Sequence, residues 1–93
     1  MRTQKPSVKL EDWAVVPSAK PGNYEGLKPG NLLVGRAFGH QRIKQGTFIF
    51  SSPIVRVDAR NGVAETRNTC YDLGEISPDY QAWLLQQPNR TAA

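Results

Sequence analysis

The chain has few of the residues that cross-link a small domain or bind a metal. Among its 93 residues there is one cysteine, Cys70, and one histidine, His40. A single cysteine excludes an intrachain disulfide and a multi-cysteine metal site. Small secreted domains usually depend on such cross-links, so a reducing compartment is expected. The spacing of the histidine and the carboxylates indicates neither a metal nor any other cofactor.

Long apolar runs are also missing. The longest, with a proline counted, covers residues 13–17, far below the roughly 20 residues that a membrane-spanning helix needs. Arg2 and Lys5 are followed by no apolar segment before Pro6, so no signal peptide is predicted. We therefore expect a soluble, cytoplasmic protein without a membrane partner.

The composition is typical of one small globular domain. Hydrophobic residues make up 39% of the chain and charged residues 22%, enough apolar surface for one core but not for two. Seven prolines and eight glycines favour many turns and few long helices. The predicted organisation is a flexible basic arm over residues 1–10, one domain over residues 11–88 and a tail over residues 89–93.

Most of the domain has β character. Patterns of β-branched and aromatic residues predict strands over 10–16, 32–38, 47–51, 54–59, 63–67 and 69–73. Residues 17–30 form a long loop, which we expect Tyr24 and Leu27 to hold against the core. Gly35 inside a strand indicates a bulge or a close backbone approach. The large side chains, Phe48 and Phe50 included, are expected to face the core.

Asn61-Gly62 lies between two of these strands and predicts a hairpin with a two-residue type I′ turn. This turn pairs Ala59 with Ala64 and Val57 with Thr66. Alternation then divides the side chains between two faces. The inner face holds Val55, Val57, Ala59, Ala64 and Thr66, and the outer face holds Arg56, Asp58, Arg60, Glu65 and Arg67.

The last element is a helix over residues 78–87. Ser77-Pro78-Asp79 supplies an N-cap hydroxyl, a proline at the first turn and an acid at the positive end of the helix dipole. Tyr80, Trp83 and Leu84 make one apolar face. The predicted fold is mostly β (α+β): a small curled antiparallel sheet, or an SH3-like or OB-like half-barrel, of four or five strands with one C-terminal helix.

Positive charge is concentrated in the middle of the chain, within a formal net charge of +4. The loop between Gly39 and Gly46 is the first candidate site for an acidic ligand, with Arg36 upstream and His40, Arg42 and Lys44 within it. The alternative is a solvated loop whose histidine bonds locally.

The second candidate is the hairpin stripe of Arg56, Arg60 and Arg67. Its alternative is a salt-bridged face, because Asp58 and Glu65 alternate with these arginines.

No catalytic group is evident. Ser51 or Ser52 could be combined with His40 and Asp58 as a triad, but no local signature supports that combination. Cys70 is most simply a small buried side chain, and a reactive Cys70–His40 pair is the weaker alternative. We therefore predict that the chain is not an enzyme.

One longer pattern is shared with other proteins. It runs Gly35-Arg36-x-Phe38-Gly39-His40-x-Arg42-Ile43-x-x-Gly46-Thr47-x-Ile49, followed by a Ser-Ser break and later by Tyr71-x-Leu73-Gly74. With it the chain resembles small uncharacterised proteins of bacteria and of their phages or mobile elements. The resemblance implies a bacterial, cytoplasmic, accessory role and carries no activity or site residue.

Three functions follow as hypotheses. The first is a small non-enzymatic interaction module that binds another macromolecule, most simply a protein. The second is a nucleic-acid-binding barrel that contacts phosphates through the basic loop. The third is an enzyme whose site lies at an oligomer interface, and whether the chain forms a homo-oligomer stays open.

Overall fold

The computed structural model describes residues 5–19 and 23–87. They form β1 (Ser7–Val16), β2 (Leu32–Phe38), β3 (Thr47–Asp58), β4 (Val63–Thr66), β5 (Cys70–Leu73) and α1 (Pro78–Leu85). The predicted mostly-β class, with four or five strands and one C-terminal helix, is confirmed, and the number of strands is five. The predicted tail over residues 89–93 lies outside the described residues.

The sheet closes into a barrel in the order β1-β2-β3-β4-β5. Each strand is antiparallel to the one before it, so the fifth strand runs in the same direction as the first. Closure therefore requires a parallel pair, in which Ser7 pairs with Cys70 and Leu10 with Leu73. Each antiparallel pair joins strands that are consecutive in the chain, whereas this parallel pair joins the first strand to the last.

The prediction of a flexible arm over residues 1–10 is wrong for its second half. β1 begins at Ser7, and both Val8 and Leu10 are buried in the core. They alternate with the exposed Ser7 and Lys9, which is the pattern of a half-buried strand. The parallel partner β5 supplies the backbone hydrogen bonds that this segment needs. Residues 1–4 lie outside the described residues.

The strands predicted over 47–51 and 54–59 are one strand, β3. Its first half pairs with β2 and its second half with β4. Proline 53 is tolerated because a bulge at Ser51 and Ser52 interrupts the regular pairing with β2 there. A second irregularity in β3 lies between Ile54 and Arg56. Each bulge reverses which side chains point inward.

The hairpin between β3 and β4 has a four-residue loop, so the predicted two-residue turn is wrong. Asp58 pairs with Val63, and Val57 with Ala64. The carboxylate of Asp58 accepts hydrogen bonds from both the backbone and the side-chain N–H of Asn61. Of the loop residues 59–62, only Gly62 has a positive φ, at 67°, whereas a type I′ turn needs positive φ at both central positions.

Two side chains assigned to the inner face of this hairpin are exposed. Val55 lies at the second bulge of β3 and turns outward, with 53% of its surface exposed. Ala59 belongs to the loop and is also exposed. Ala64 and Thr66 are buried and Val57 is half-buried, as predicted.

The close approach predicted at Gly35 is confirmed. A Cβ atom on Gly35 would lie 2.9 Å from the carbonyl oxygen of Glu11 and 3.0 Å from the Cα atom of Trp13. These contacts place β2 directly against the bulge of β1 between Glu11 and Ala14. Only glycine fits the barrel wall at this point.

The helix is capped as predicted and docks beside β1. The Ser77 side chain accepts a hydrogen bond from the backbone N–H of Tyr80. The buried Tyr80 ring lies 5.3 to 5.9 Å, centroid to centroid, from the three other rings of an aromatic cluster: Trp13, Tyr24 and Trp83. The indole N–H of Trp13 donates to the carbonyl oxygen of Gly74. The cluster therefore also holds the 23–28 loop, with Tyr24 and Leu27 half-buried as predicted.

Candidate functional site

The basic loop is stabilised mainly by its own polar groups. The imidazole Nδ1 of His40 accepts a hydrogen bond from the backbone N–H of Arg42 at 3.0 Å. The Gln45 side chain accepts another from the backbone N–H of Gly39. The structure therefore shows the local hydrogen bonding of His40 that the simpler alternative predicted. A cleft of about 320 Å³ lies beside the loop, lined by residues 6–8 and 39–42.

The hairpin arginines do not form a continuous stripe. Arg56 Nε lies 3.0 Å from a carboxylate oxygen of Glu65, whose other oxygen lies 2.9 Å from Lys5 Nζ. Two cations hold the pKa of Glu65 below its ordinary value. Arg60 lies in the β3–β4 loop and Arg67 follows β4, at opposite ends of the hairpin. The salt-bridged alternative therefore describes the centre of this face.

Arg36 differs from the cations of the basic loop because it has an ion-pair partner, Asp12. Its Nε atom lies 3.8 Å from a carboxylate oxygen of Asp12. Asp12 sits in the bulge of β1 with a φ of 55°, a left-handed conformation that aspartate tolerates better than most residues. Arg42 and Lys44 are exposed in the loop that leads into β3. Within residues 5–19 and 23–87 neither of them has an ion pair.

The structure does not assemble the catalytic combinations. His40 precedes the start of β3, whereas Asp58 ends β3 and is bound to Asn61. The Ser51 hydroxyl accepts a hydrogen bond from the Leu33 backbone N–H and donates one to the carbonyl oxygen of Ser52.

Within the described part of the chain, the cysteine and the carboxylates also form no reactive site. Burial, then the charge of Glu65, raises the pKa of the half-buried Cys70 thiol, which disfavours the reactive thiolate. No group of three or more metal-ligating side chains occurs among the described residues.

The prediction that Phe48 and Phe50 face the core is wrong. Their side chains are 52% and 58% exposed and lie on the outer face of β3. Their rings contact each other edge to face, with centroids 6.1 Å apart and planes 82° apart. Ile49 between them points inward and packs against the core. Two exposed phenylalanines in contact with each other are unusual on the surface of a small domain, which makes this surface a candidate site.

Strand pairing explains this orientation. Phe48 pairs with the exposed Arg36, and Phe50 pairs with Val34; directly paired residues share a face of the sheet. Val34 in turn pairs with Ala14 of β1. The outer face of β1, β2 and β3 therefore carries an apolar row that ends at the two phenylalanines.

A cleft of about 330 Å³ lies along this row. We call it the aromatic cleft; its lining residues are Asp12, Ala14, Val16, Tyr24, Val34, Phe48, Phe50, Ser77 and Asp79. Its lining is mostly apolar, with Asp12, Ser77 and Asp79 as its polar residues. The three strands β1, β2 and β3, the 23–28 loop and the start of the helix thus all contribute to it.

The aromatic cleft contains none of the predicted binding residues. Only Arg36 is close to it, through its pairing with Phe48 and its contact with Asp12. One signal in the sequence bears on it: Phe48 and Phe50 share a face opposite to that of Ile49. The sequence does not show which of these two faces is buried.

Comparison of the chain with protein-family models, with curated proteins and with solved structures finds no match. Among the described residues, no helix is both long enough and apolar enough to cross a membrane.

Proposed function

We propose that this chain is a small binding module that recognises another protein through the aromatic cleft. The observation that carries the proposal is the exposure of Phe48 and Phe50, which contact each other and line the aromatic cleft. Half-exposed aromatic rings supply large contact area at low cost in side-chain entropy, and such residues dominate binding energy in protein interfaces.

The carboxylates at the cleft favour a protein partner over a nucleic acid. Asp12 and Asp79 line the cleft; Arg36 offsets the charge of Asp12, so repulsion of a phosphate backbone would come mainly from Asp79. Both carboxylates are complementary to a lysine or arginine side chain, whose cation also interacts favourably with aromatic ring faces. The partner segment that fits best is therefore apolar with a basic residue beside it.

A nucleic acid is the second candidate. Phe48 and Phe50 stand at alternate positions of one strand, as in proteins that stack successive bases on a sheet. Arg42 and Lys44, exposed in the loop that enters β3, are within the same hairpin. This hypothesis predicts salt-sensitive binding to single strands, with cations of the loop contacting phosphates.

Affinity capture with matched variants tests the first candidate. Immobilised wild-type chain is compared with F48A/F50A and with V55A, an equally exposed apolar residue away from the cleft. We expect a defined protein that wild type and V55A retain and that the double variant retains at least about tenfold less. Equal retention by all three chains would contradict the proposal.

Fluorescence anisotropy with labelled single-stranded DNA and RNA tests the second candidate. If it holds, both F48A/F50A and R42A/K44A weaken binding, and only R42A/K44A lowers the dependence on salt. Absence of binding at about 50 mM salt would exclude it. A cytoplasmic location, an accessory role and the lack of catalytic activity stay predictions beside either candidate.

A further inference from the structure

The first half of β3 is paired on one side only. Residues 47–51 pair with β2, whereas pairing with β4 starts at Ile54. No strand among the described residues covers the other edge of this segment, and β3 packs against no element other than β2 and β4. We call this edge, over residues 47–51, the open edge of β3. It offers unpaired backbone groups to an incoming strand.

The open edge has little of the usual protection against pairing. Natural edge strands are blunted by charged side chains, by proline or by bulges. The segment Thr47-Phe48-Ile49-Phe50-Ser51 contains no charge and no proline. The bulge starts at Ser51, the last residue of the segment, Pro53 follows it, and the turn at Gly46 comes before the segment. These two features bound a short, regular and apolar edge.

The sequence of this edge is complementary to itself. Around Ile49 it reads nearly the same in both directions, with phenylalanine on either side and then a small hydroxyl residue. In an antiparallel pair centred on Ile49, Phe48 of one copy lies opposite Phe50 of the other, and each Thr47 lies opposite a Ser51. Aromatic cross-strand pairs of this kind stabilise a sheet. No like charges oppose each other within the segment.

We propose that two copies of this chain associate through the open edge of β3, antiparallel and with a two-fold axis at Ile49. The occupant of the edge is a second copy, because this register alone places both phenylalanines of each chain opposite phenylalanines. A two-fold interface of one surface with itself is the commonest form of protein oligomer.

The proposed dimer extends the surface of the aromatic cleft. Phe48 and Phe50 point out of the sheet, so pairing through the backbone leaves them on its outer face. The sheet then continues from one barrel to the next, with a row of four phenylalanines between two clefts. The pairing uses the strand edge and does not depend on the proposed protein partner.

Sedimentation velocity of the purified chain, from about 5 μM to 1 mM, tests the association. We expect a monomer–dimer equilibrium within this range. A wild-type chain that stays monomeric up to about 1 mM would overturn the proposal.

Two charged variants test the register. In F48K/F50K both pairs between positions 48 and 50 are lysine against lysine, so we expect a dimer at least about tenfold weaker than wild type. In F48E/F50K each glutamate lies opposite a lysine of the other copy. We expect this variant to dimerise at least about tenfold more tightly than F48K/F50K, with that advantage lost at high salt.

The charged pair of variants also controls for folding. Both replace the same two exposed residues, and thermal melts followed by circular dichroism show whether each chain is folded. Equal dimer dissociation constants for the two folded variants would overturn the proposed pairing. The outcome is independent of the proposed function, because F48E/F50K forms the dimer but lacks the aromatic rings that a partner would contact.

Discussion

The hydroxyl oxygen of Ser51 accepts a hydrogen bond from the backbone N–H of Leu33 at 2.9 Å. The bulge in β3 disturbs the regular ladder at this point, and the side chain supplies the missing acceptor. The bulge also reverses the inward side of β3, so that Ile54 is buried while Phe48 and Phe50 are exposed. The hydrogen bond between Leu33 and Ser51 therefore stabilises the bulge that lets Phe48 and Phe50 point outward and Ile54 point inward on the same strand.

Replacing Ser51 by alanine leaves the Leu33 N–H without this acceptor in a buried position. We expect Ser51→Ala to lower the free energy of unfolding by about 1–3 kcal/mol. Ser52→Ala, an exposed neighbour in the same bulge, is the matched control and should change it by less than about 0.5 kcal/mol. Urea unfolding measures both. Equal effects would show that the hydroxyl of Ser51 is not what stabilises the bulge.

A methyl group at Gly35 has no room between β1 and β2. Its atom would lie 2.9 Å from the Glu11 carbonyl oxygen, so we expect Gly35→Ala to cost about 1–3 kcal/mol of unfolding free energy. Nothing lies within 4 Å of a Cβ atom placed on Gly26. Gly26→Ala should therefore be close to neutral in the same urea titration, and a comparable loss there would contradict this explanation.

Glu65 makes the stability of the fold depend on pH. Its hydrogen bonds and ion pairs with Lys5 and Arg56 lower its pKa from the ordinary value of 4.5. The stabilisation is therefore complete above pH 4.5 and is lost as the pH falls through the lower pKa of the folded state. We expect Glu65→Gln to unfold with a flatter pH profile than wild type below pH 4.5. Asp58, whose pKa is lowered by Asn61, should retain part of the acid sensitivity in that variant.

The two exposed phenylalanines should contribute little to folding. Because more than half of each side chain stays in solvent, each Phe→Ala change should cost less than about 1.5 kcal/mol. Tyr80→Ala removes a fully buried ring that is packed against three others and should cost about 3–5 kcal/mol. Chemical denaturation compares the variants. A large loss for Phe48→Ala would mean that this ring serves the core rather than an interface.

Local signals in the sequence predict the ends of the elements well. Ser77-Pro78-Asp79 starts the helix because the cap and the first turn need only neighbouring residues. The Asn61-Gly62 turn is also in the predicted place. Its length is not, because the Asp58 side chain binds Asn61 and stabilises a longer loop. That competition between side chain and backbone is not visible in the dipeptide alone.

Features that depend on distant residues were not predictable. The parallel pair of β1 with β5 joins positions more than sixty residues apart. The outward orientation of Phe48 and Phe50 follows from their pairing with Arg36 and Val34 of β2, and a bulge separates them from the inward-facing Ile54. The basic loop and the hairpin arginines were located from the sequence, but their partners Asp12 and Glu65 decide which charges stay available.

Site-specific photo-cross-linking in cells that encode this protein tests the central claim most directly. A benzoylphenylalanine at position 50 lies at the aromatic cleft, and one at Leu85, which is 81% exposed at the helix end, is the control. We predict a discrete cross-linked protein, different from a second copy of this chain, from position 50, abolished by excess wild-type chain but not by excess F48A/F50A. Cross-links only from position 85, or equal competition by both chains, would contradict the account.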